Sequence, residues 1–180
     1  NMSCSFVIMA NQIDDSIINN IILINPVSLK TLTYIPDSQS KLKQILINLP
    51  LVGTFIYNVL MNPARLDRQF RTNYYFKSVS SQIKDAYYEA SHSDNSNGKY
   101  LYSSLLGNYM GVDIRQALKK LKNKTCIIGS TDIKNNLNTL EEYHKLNSNI
   151  QVIHVSNCKL YPQLENPAKI NQIIEHILSR

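Results

Sequence analysis

Three short apolar runs along the chain have the pattern of buried β-strands. They are residues 20–25, which end before Pro26, residues 125–128, which end at Gly129, and residues 150–155. The interiors of the first two are continuously apolar, which is typical of strands covered on both faces in a parallel sheet. The third alternates more between apolar and polar positions, so we expect it to lie nearer an edge of the sheet.

Helical patterns separate and follow these strands. Residues 5–14, 137–146 and 167–178 place apolar side chains three or four positions apart, and Pro167 suits the first turn of a helix. Strands alternating with helices in this order predict right-handed crossovers and a parallel sheet. The pattern therefore indicates an α/β fold.

The stretch between the first two strands is different. It contains several helical patterns in succession and no convincing strand: residues 51–61, 64–73, 83–91 and 99–109, with a polar loop over 93–98. A helical insertion of this kind is typical of a cap over the carboxyl edge of the sheet, where ligands bind in open α/β sheets. We expect its aromatic side chains to line a pocket, with Phe55, Tyr57, Tyr74, Tyr75, Tyr87 and Tyr88 as the candidates.

Composition and charge narrow the class of protein. Of the 180 residues, 43% are hydrophobic and 18% are charged, which is a globular composition. No apolar run approaches the roughly 20 residues of a membrane helix, so we expect no membrane partner. The net charge is +6, and the densest group of lysines lies at the end of a predicted helix. Cations at this end complement the negative helix terminus, so the cluster does not by itself indicate a one-sided basic surface for nucleic acid. We therefore expect no nucleic-acid partner.

The cysteines and the glycines also constrain the chemistry. Cys4, Cys126 and Cys158 are far apart and in apolar surroundings, which predicts buried, reduced thiols in a cytoplasmic protein and no metal site. The chain has no G-x-G-x-x-G and no G-x-x-x-x-G-K-[ST] motif, so a nucleotide-binding α/β domain is the least favoured hypothesis. We expect no cofactor.

Two motifs resemble those of the α/β-hydrolase family. Residues 1–5 (NMSCS) precede a helical pattern and the first strand, and are similar to the G-x-S-x-G elbow that exposes the nucleophilic serine. Residues 129–132 (GSTD) follow the second strand and resemble the family's G-x-x-D segment, whose Asp orients the catalytic imidazole.

A third motif follows the last strand. Residues 156–167 (SNCKLYPQLENP) resemble the family's G-H-x-P-x-L-E-x-P segment, and Pro162, Leu164, Glu165 and Pro167 all match. The position of the catalytic histidine is Leu160. Because leucine cannot accept a proton, the serine lacks its usual general base. His92 in the insertion is the candidate substitute, whereas we expect His154 to be buried in or beside the sheet, and His144 and His176 to lie on helical surfaces.

The resemblance implies a partial, mostly parallel α/β-hydrolase sheet with a helical cap inserted between strands. The core would contain residues 1–35 and 111–180, the cap residues 36–110, and the strands before the elbow would lie outside this sequence. Ser3 would be the nucleophile, Asp132 the acid and the backbone N–H of Cys4 an oxyanion donor.

Two hypotheses about function follow from this resemblance. One is a serine hydrolase that acts on a small ester, amide or similar molecule without its usual histidine. The alternative is a catalytically inactive protein of the same fold that binds a ligand or a partner. We expect the chain alone to be a poor hydrolase and a marginally stable monomer, although the sequence leaves its oligomeric state open.

Overall fold

A computed structural model describes residues 2–73 and 79–179, apart from the side chains of residues 94–96. The elements follow the chain in this order: α1 (Ser3–Ile13), β1 (Asn20–Ile24), α2 (Leu29–Leu32), α3 (Ser38–Asn48), α4 (Pro50–Leu60), α5 (Pro63–Asn73), α6 (Ser81–Ser96), α7 (Gly98–Leu106), α8 (Arg115–Lys120), β2 (Lys124–Ser130), α9 (Asn136–Leu146), β3 (Gln151–Val155), α10 (Pro162–Glu165) and α11 (Pro167–Leu178).

The three strands form one parallel sheet in the order β1-β2-β3. Ile22 of β1 pairs with Cys126 of β2, and Ile128 of β2 pairs with Ile153 of β3. All three predicted strands are confirmed, together with the parallel α/β fold. β1 ends at Ile24, one residue earlier than expected, because Asn25 adopts a left-handed backbone conformation with φ of 43°.

Helices cover both faces of this sheet, which explains the continuous apolar runs. On one face Ile21, Leu23 and Ile127 share a buried cluster with residues of α1, α8 and α9. On the other face Cys126 and Ile128 pack in a second cluster with residues of α11. Alternate side chains of one strand therefore enter two separate apolar layers.

The chain divides into two compact units. In the described residues, the first unit contains residues 2–33 and 111–179 and holds the sheet, and the second contains residues 34–73 and 79–110. The second unit is built of α3 to α7, with no strand among its described residues. The predicted helical insertion between the first and second strands is confirmed.

The polar loop predicted over residues 93–98 is wrong. The α6 helix continues to Ser96, and α7 begins two residues later at Gly98. Small polar side chains of α6 bond within their own helix: the hydroxyl of Ser91 donates to the carbonyl of Tyr88, and that of Ser93 to Ala90. Because these groups find partners on the preceding turn, they do not end the helix.

Candidate functional site

The candidate site lies at the carboxyl edge of the sheet. Because β1, β2 and β3 are parallel, their carboxyl ends meet at this edge: Asn25 follows β1, Ser130 is the last residue of β2, and the loop of Leu160 follows β3. The start of α1 reaches the same edge, since Cys4 Sγ lies 3.9 Å from the carbonyl oxygen of Ile24. The elements that carry Ser3, Asp132 and Leu160 thus meet at the edge where open α/β sheets bind ligands.

Ser3 is the first residue of α1, and its side chain is exposed. The preceding residue, Met2, has helical backbone angles (φ −54°, ψ −38°). In a nucleophile elbow the serine sits on a sharp, strained turn, but Ser3 is not among the described residues with positive φ. Ser3 is therefore accessible to solvent, while the backbone strain that the elbow resemblance implies is not found at this residue.

Cys4 lies in the first turn of α1, and its side chain is buried. The N–H groups of a first helical turn point toward the N-terminus of the helix, the end at which anions are stabilised. This direction suits the oxyanion role that the resemblance implies for the Cys4 N–H. That role stays a prediction.

Asp132 follows β2 by two residues and is exposed. Its Oδ2 accepts a hydrogen bond of 2.7 Å from the backbone N–H of Asn157, in the loop after β3. Its own N–H donates to Ser130 Oγ at 3.2 Å. The acid loop and the loop that carries Leu160 are therefore adjacent, as the resemblance implies. Within the described part of the chain, no hydrogen bond joins Asp132 to Ser3 or to an imidazole.

Leu160 is half-buried in a loop held from two sides. The side-chain amide of Asn25 donates to the carbonyl oxygens of Lys159 at 2.9 Å and of Leu160 at 3.2 Å. From the other side, Glu165 Oε1 accepts a 2.7 Å hydrogen bond from the N–H of Lys159. The Glu of the P-x-L-E-x-P segment thus fixes the loop backbone, which is a structural role that does not require a histidine at position 160.

Asn25 is the main residue that the sequence analysis missed. It is 3% exposed, and its Oδ1 accepts from the N–H of Ser130 at 2.8 Å and from Asn136 Nδ2 at 3.1 Å. Ser130 is fully buried and donates from Oγ to the carbonyl oxygen of Cys158. This polar network joins the ends of all three strands. Its only sequence signal is an Asn directly after an apolar run, a position that tolerates positive φ.

None of the histidines described in the first unit is hydrogen-bonded to the candidate acid. His154 is exposed on β3, which corrects the expectation that it is buried, and the reason is that β3 forms an edge of the sheet. His144 is exposed, with Nδ1 bonded to the carbonyl of Ile150 at 2.9 Å, and His176 is exposed on α11. His92 belongs to the second unit, where its Nδ1 lies 2.9 Å from the carbonyl oxygen of Tyr88.

The predicted pocket aromatics differ in their exposure. Tyr57 is buried and donates to the carbonyl of Ser91 at 2.7 Å, whereas Phe55 is 71% exposed. Tyr87 and Tyr88 are also exposed, and Tyr74 and Tyr75 lie outside the described residues. Among the described members of this set, Tyr57 alone is buried, although the ring of Tyr87 also makes an edge contact with Phe70 at 5.1 Å.

We also searched the described residues for a reactive thiolate and for a group of metal ligands. All three cysteines are free and buried. Burial raises the pKa of Cys126 to about 11 and also raises the pKa of Cys158, so both remain protonated near neutral pH. Within residues 2–73 and 79–179, no group of three or more His, Cys, Asp or Glu residues is arranged to hold a metal ion.

Comparison with known proteins identifies the fold through structure alone. No protein-family model matches the sequence, and no curated protein matches it. Among solved structures, the chain is similar to an α/β-hydrolase enzyme from a Medee basin deep-sea metagenome library, with a TM-score of 0.62 and 12% identity over 100% of this chain and 63% of that chain.

Two further structures show the same likeness. A serine hydrolase from Cycloclasticus zankles has a TM-score of 0.67 and 10% identity, over 98% of this chain and 60% of that chain. A haloalkane dehalogenase variant from Bradyrhizobium elkanii has a TM-score of 0.64 and 12% identity, over 97% of this chain and 64% of that chain. The chain thus has the fold of a C-terminal part of an α/β-hydrolase and spans less than two thirds of these structures.

Proposed function

We propose that the chain carries a serine-hydrolase-type site for a small ester, amide or similar molecule, with slow turnover. Ser3 would be the nucleophile, Asp132 the acid and the Cys4 N–H an oxyanion donor. The α/β-hydrolase fold and the three motifs in their expected order support this proposal. The activity would also depend on the part of the α/β-hydrolase fold that this chain does not span.

The observation that carries the proposal is the position of Asp132 beside the loop of Leu160. The 2.7 Å hydrogen bond from Asn157 to the Asp132 carboxylate joins two segments whose family counterparts hold the acid and the histidine. An acid beside that loop can orient an imidazole and stabilise its charged form. The arrangement around position 160 therefore supports a site of this type, with leucine at the position where the resemblance expects the base.

Slow turnover follows from the missing base. A positioned general base accelerates a reaction by about 10²–10⁴-fold, and a serine hydroxyl at its ordinary pKa is a weak nucleophile. The exposure of Ser3 gives a substrate access to the hydroxyl. We therefore expect Ser3-dependent hydrolysis that is well below that of an enzyme with an intact triad.

The second candidate function is ligand binding without turnover. Leu160 favours it directly, because an apolar side chain stands where the family places its base. In this alternative the same edge of the sheet binds an ester-like or amide-like ligand, or a partner, and Ser3 has no chemical role.

The test is hydrolysis of p-nitrophenyl butyrate by the purified chain, by Ser3→Ala and by Ser148→Ala, a control at another exposed serine of the same unit. Binding of the stable amide N-phenylbutyramide is followed by NMR in parallel. Slow hydrolysis that is lost only in Ser3→Ala supports the hydrolase. Amide binding with no Ser3-dependent hydrolysis supports the binding protein and refutes the hydrolase. The absence of both results refutes both functions.

A further inference from the structure

Large apolar side chains are exposed on α3, α4 and α7 of the second unit. We define this outer face by six exposed side chains: Leu42, Ile45 and Leu46 of α3, Leu51 and Phe55 of α4, and Leu101 of α7. Leu51 is 86% exposed and Phe55 is 71% exposed. Exposed apolar side chains that occur singly are normal, but a contiguous set marks an interaction surface.

The helical spacing makes the outer face continuous along each helix. Leu42, Ile45 and Leu46 lie three and four positions apart, so they form one stripe on α3. Leu51 and Phe55 lie four positions apart on α4, whereas Gly53 and Tyr57 on another face of the same helix are buried. The exposed positions are therefore the outward stripes of helices whose other faces are packed.

Two of the contacts between these helices are hydrogen bonds between polar side chains. The hydroxyl of Ser103 donates to Asn48 Oδ1 at 2.7 Å, and joins α7 to α3. The Nζ of Lys99, which is buried, donates to Thr54 Oγ1 at 2.9 Å, and joins α7 to α4. A helix of a water-soluble protein normally turns its apolar stripe inward. The same helices also bury apolar groups, among them Ile47 of α3 and Tyr57 of α4, so the exposed stripes are apolar surface beyond what the packing of the unit uses.

The charges on these helices are all positive. Within α3, α4 and α7 the charged residues are Lys41, Lys43 and Lys99, and no Asp or Glu occurs. Lys41 and Lys43 are exposed on α3, next in sequence to Leu42. The carboxylate of Asp37 lies just before α3 and caps it by accepting a 2.8 Å hydrogen bond from the N–H of Ser40. Exposed lysines beside an apolar stripe are complementary to an anionic lipid surface.

We propose that the outer face lies on an anionic lipid surface, with α3 and α4 parallel to that surface. Each of these helices has 11 residues, about half of the roughly 20 that a membrane crossing requires. No helix among the described residues is long and apolar enough to cross a membrane. Leu51 and Phe55 enter the boundary between headgroups and acyl chains, and Lys41 and Lys43 contact the headgroups. This proposal departs from the sequence-based expectation that the chain has no membrane partner.

The first experiment uses tryptophan as a depth reporter, because the chain contains no Trp. Phe55→Trp places the reporter on the outer face. Ile13→Trp is the matched control on α1, at a position that is 87% exposed. With vesicles of brominated phosphatidylcholine and phosphatidylserine, the fluorescence of Phe55→Trp shifts to the blue and is quenched, whereas that of Ile13→Trp is not. Equal quenching of both reporters, or quenching of neither, overturns the proposal.

Vesicle sedimentation then separates the apolar and the charged contributions. The double variant Leu51→Ser, Phe55→Ser loses binding by about tenfold or more, while the control Ile13→Ser, Ile17→Ser binds as the unchanged chain does. Each of Lys41→Ser and Lys43→Ser lowers binding to phosphatidylserine vesicles by about fivefold. Lys119→Ser, in the first unit, does not.

Two further results would contradict the proposal. Equal binding to pure phosphatidylcholine vesicles overturns the preference for an anionic surface. Concentration-dependent self-association without lipid, abolished by Leu51→Ser, Phe55→Ser and accompanied by no vesicle binding, assigns the outer face to a second copy of the chain and overturns the lipid proposal.

Discussion

The side-chain amide of Asn25 donates to the carbonyl oxygen of Leu160 at 3.2 Å, although 135 positions separate the two residues in the sequence. Asn25 follows β1, and Leu160 lies in the loop after β3, so this bond spans the width of the sheet. The Asn25 amide oxygen accepts from the N–H of Ser130 at the end of β2. One buried side chain therefore fixes the positions of the loops that carry both Asp132 and Leu160.

Replacement of Asn25 is expected to destabilise the first unit. Asn25→Ala leaves the buried N–H of Ser130 and the carbonyls of Lys159 and Leu160 without their side-chain partner. Each unsatisfied buried polar group costs about 1–3 kcal/mol, so we expect the free energy of unfolding to fall by about 2–4 kcal/mol in urea titrations. Asn138→Ala, at an exposed position of α9, is the control and is expected to change stability by less than about 0.5 kcal/mol. Equal stability of the two variants would refute the role of the network.

Introduction of the missing imidazole tests the candidate site directly. Leu160→His is expected to raise Ser3-dependent hydrolysis of p-nitrophenyl butyrate by at least about tenfold, because a general base contributes about 10²–10⁴-fold when it is well positioned. Leu164→His, which adds a histidine at an exposed position four residues later, is the control. A gain in both variants would indicate non-specific imidazole catalysis. No gain in Leu160→His would show that Ser3 is not placed to react.

The strands were predictable because burial on both faces leaves a strong signal. Residues such as Ile127 and Ile128 enter opposite apolar layers, so both must be apolar and the run is continuous. The network of Asn25 was not predictable, because its partner carbonyls belong to residues 134 and 135 positions away. Backbone carbonyls have no residue identity, so no pattern in the sequence marks them as partners.

Local composition was misleading at two places. The polar residues 93–98 have the composition of a loop, yet α6 continues through most of them. His154 lies in an apolar run and was expected to be buried, but its strand is at an edge of the sheet and leaves it exposed. The alternation of β3 indicated its edge position, but it did not indicate the exposure of His154, and the composition of residues 93–98 did not indicate that α6 continues.

A close contact between α3 and α4 makes Gly53 sensitive to substitution. A Cβ atom at this position would overlap the carbonyl oxygen of Ile47, which is backbone and cannot rotate away. Gly53→Ala gains about 1 kcal/mol in helix propensity, but we expect a net loss of at least about 2 kcal/mol because the two helices must separate. Hydrogen exchange in α3 and α4 and thermal unfolding measure the effect.

Gly129→Ala provides the comparison for this prediction. There the added Cβ would overlap the side chain of Leu140 rather than backbone. A side chain can adjust by rotation, so we expect a smaller loss of stability than in Gly53→Ala, and the increase in hydrogen exchange to be confined to β2 and α9. The reverse order of the two variants would show that α3 and α4 adjust more easily than the packing beneath the sheet.

The buried thiol of Cys126 is expected to make the fold sensitive to alkaline pH. Burial raises its pKa from an ordinary 9.0 to about 11 in the folded chain. Between these two values the unfolded chain loses the thiol proton while the folded chain retains it. The folded state then binds more protons than the unfolded state, so stability falls as pH rises. We expect a loss of the order of 2 kcal/mol from this group as pH increases from about 9 to about 11.

Removal of the titrating group distinguishes this effect from general alkaline unfolding. Cys126→Ser keeps the size of the side chain and Cys126→Ala reduces it, and neither residue ionises in this range. Both variants are expected to start from a lower stability at pH 7, because this side chain of β2 is buried in the cluster that includes α11. Both are nevertheless expected to lose less stability than the unchanged chain between pH 9 and 11. The measurement is the free energy of unfolding in urea at each pH. The same slope in all three proteins would assign the alkaline sensitivity to other groups, among them Cys158 and Tyr143, whose pKa values burial also raises.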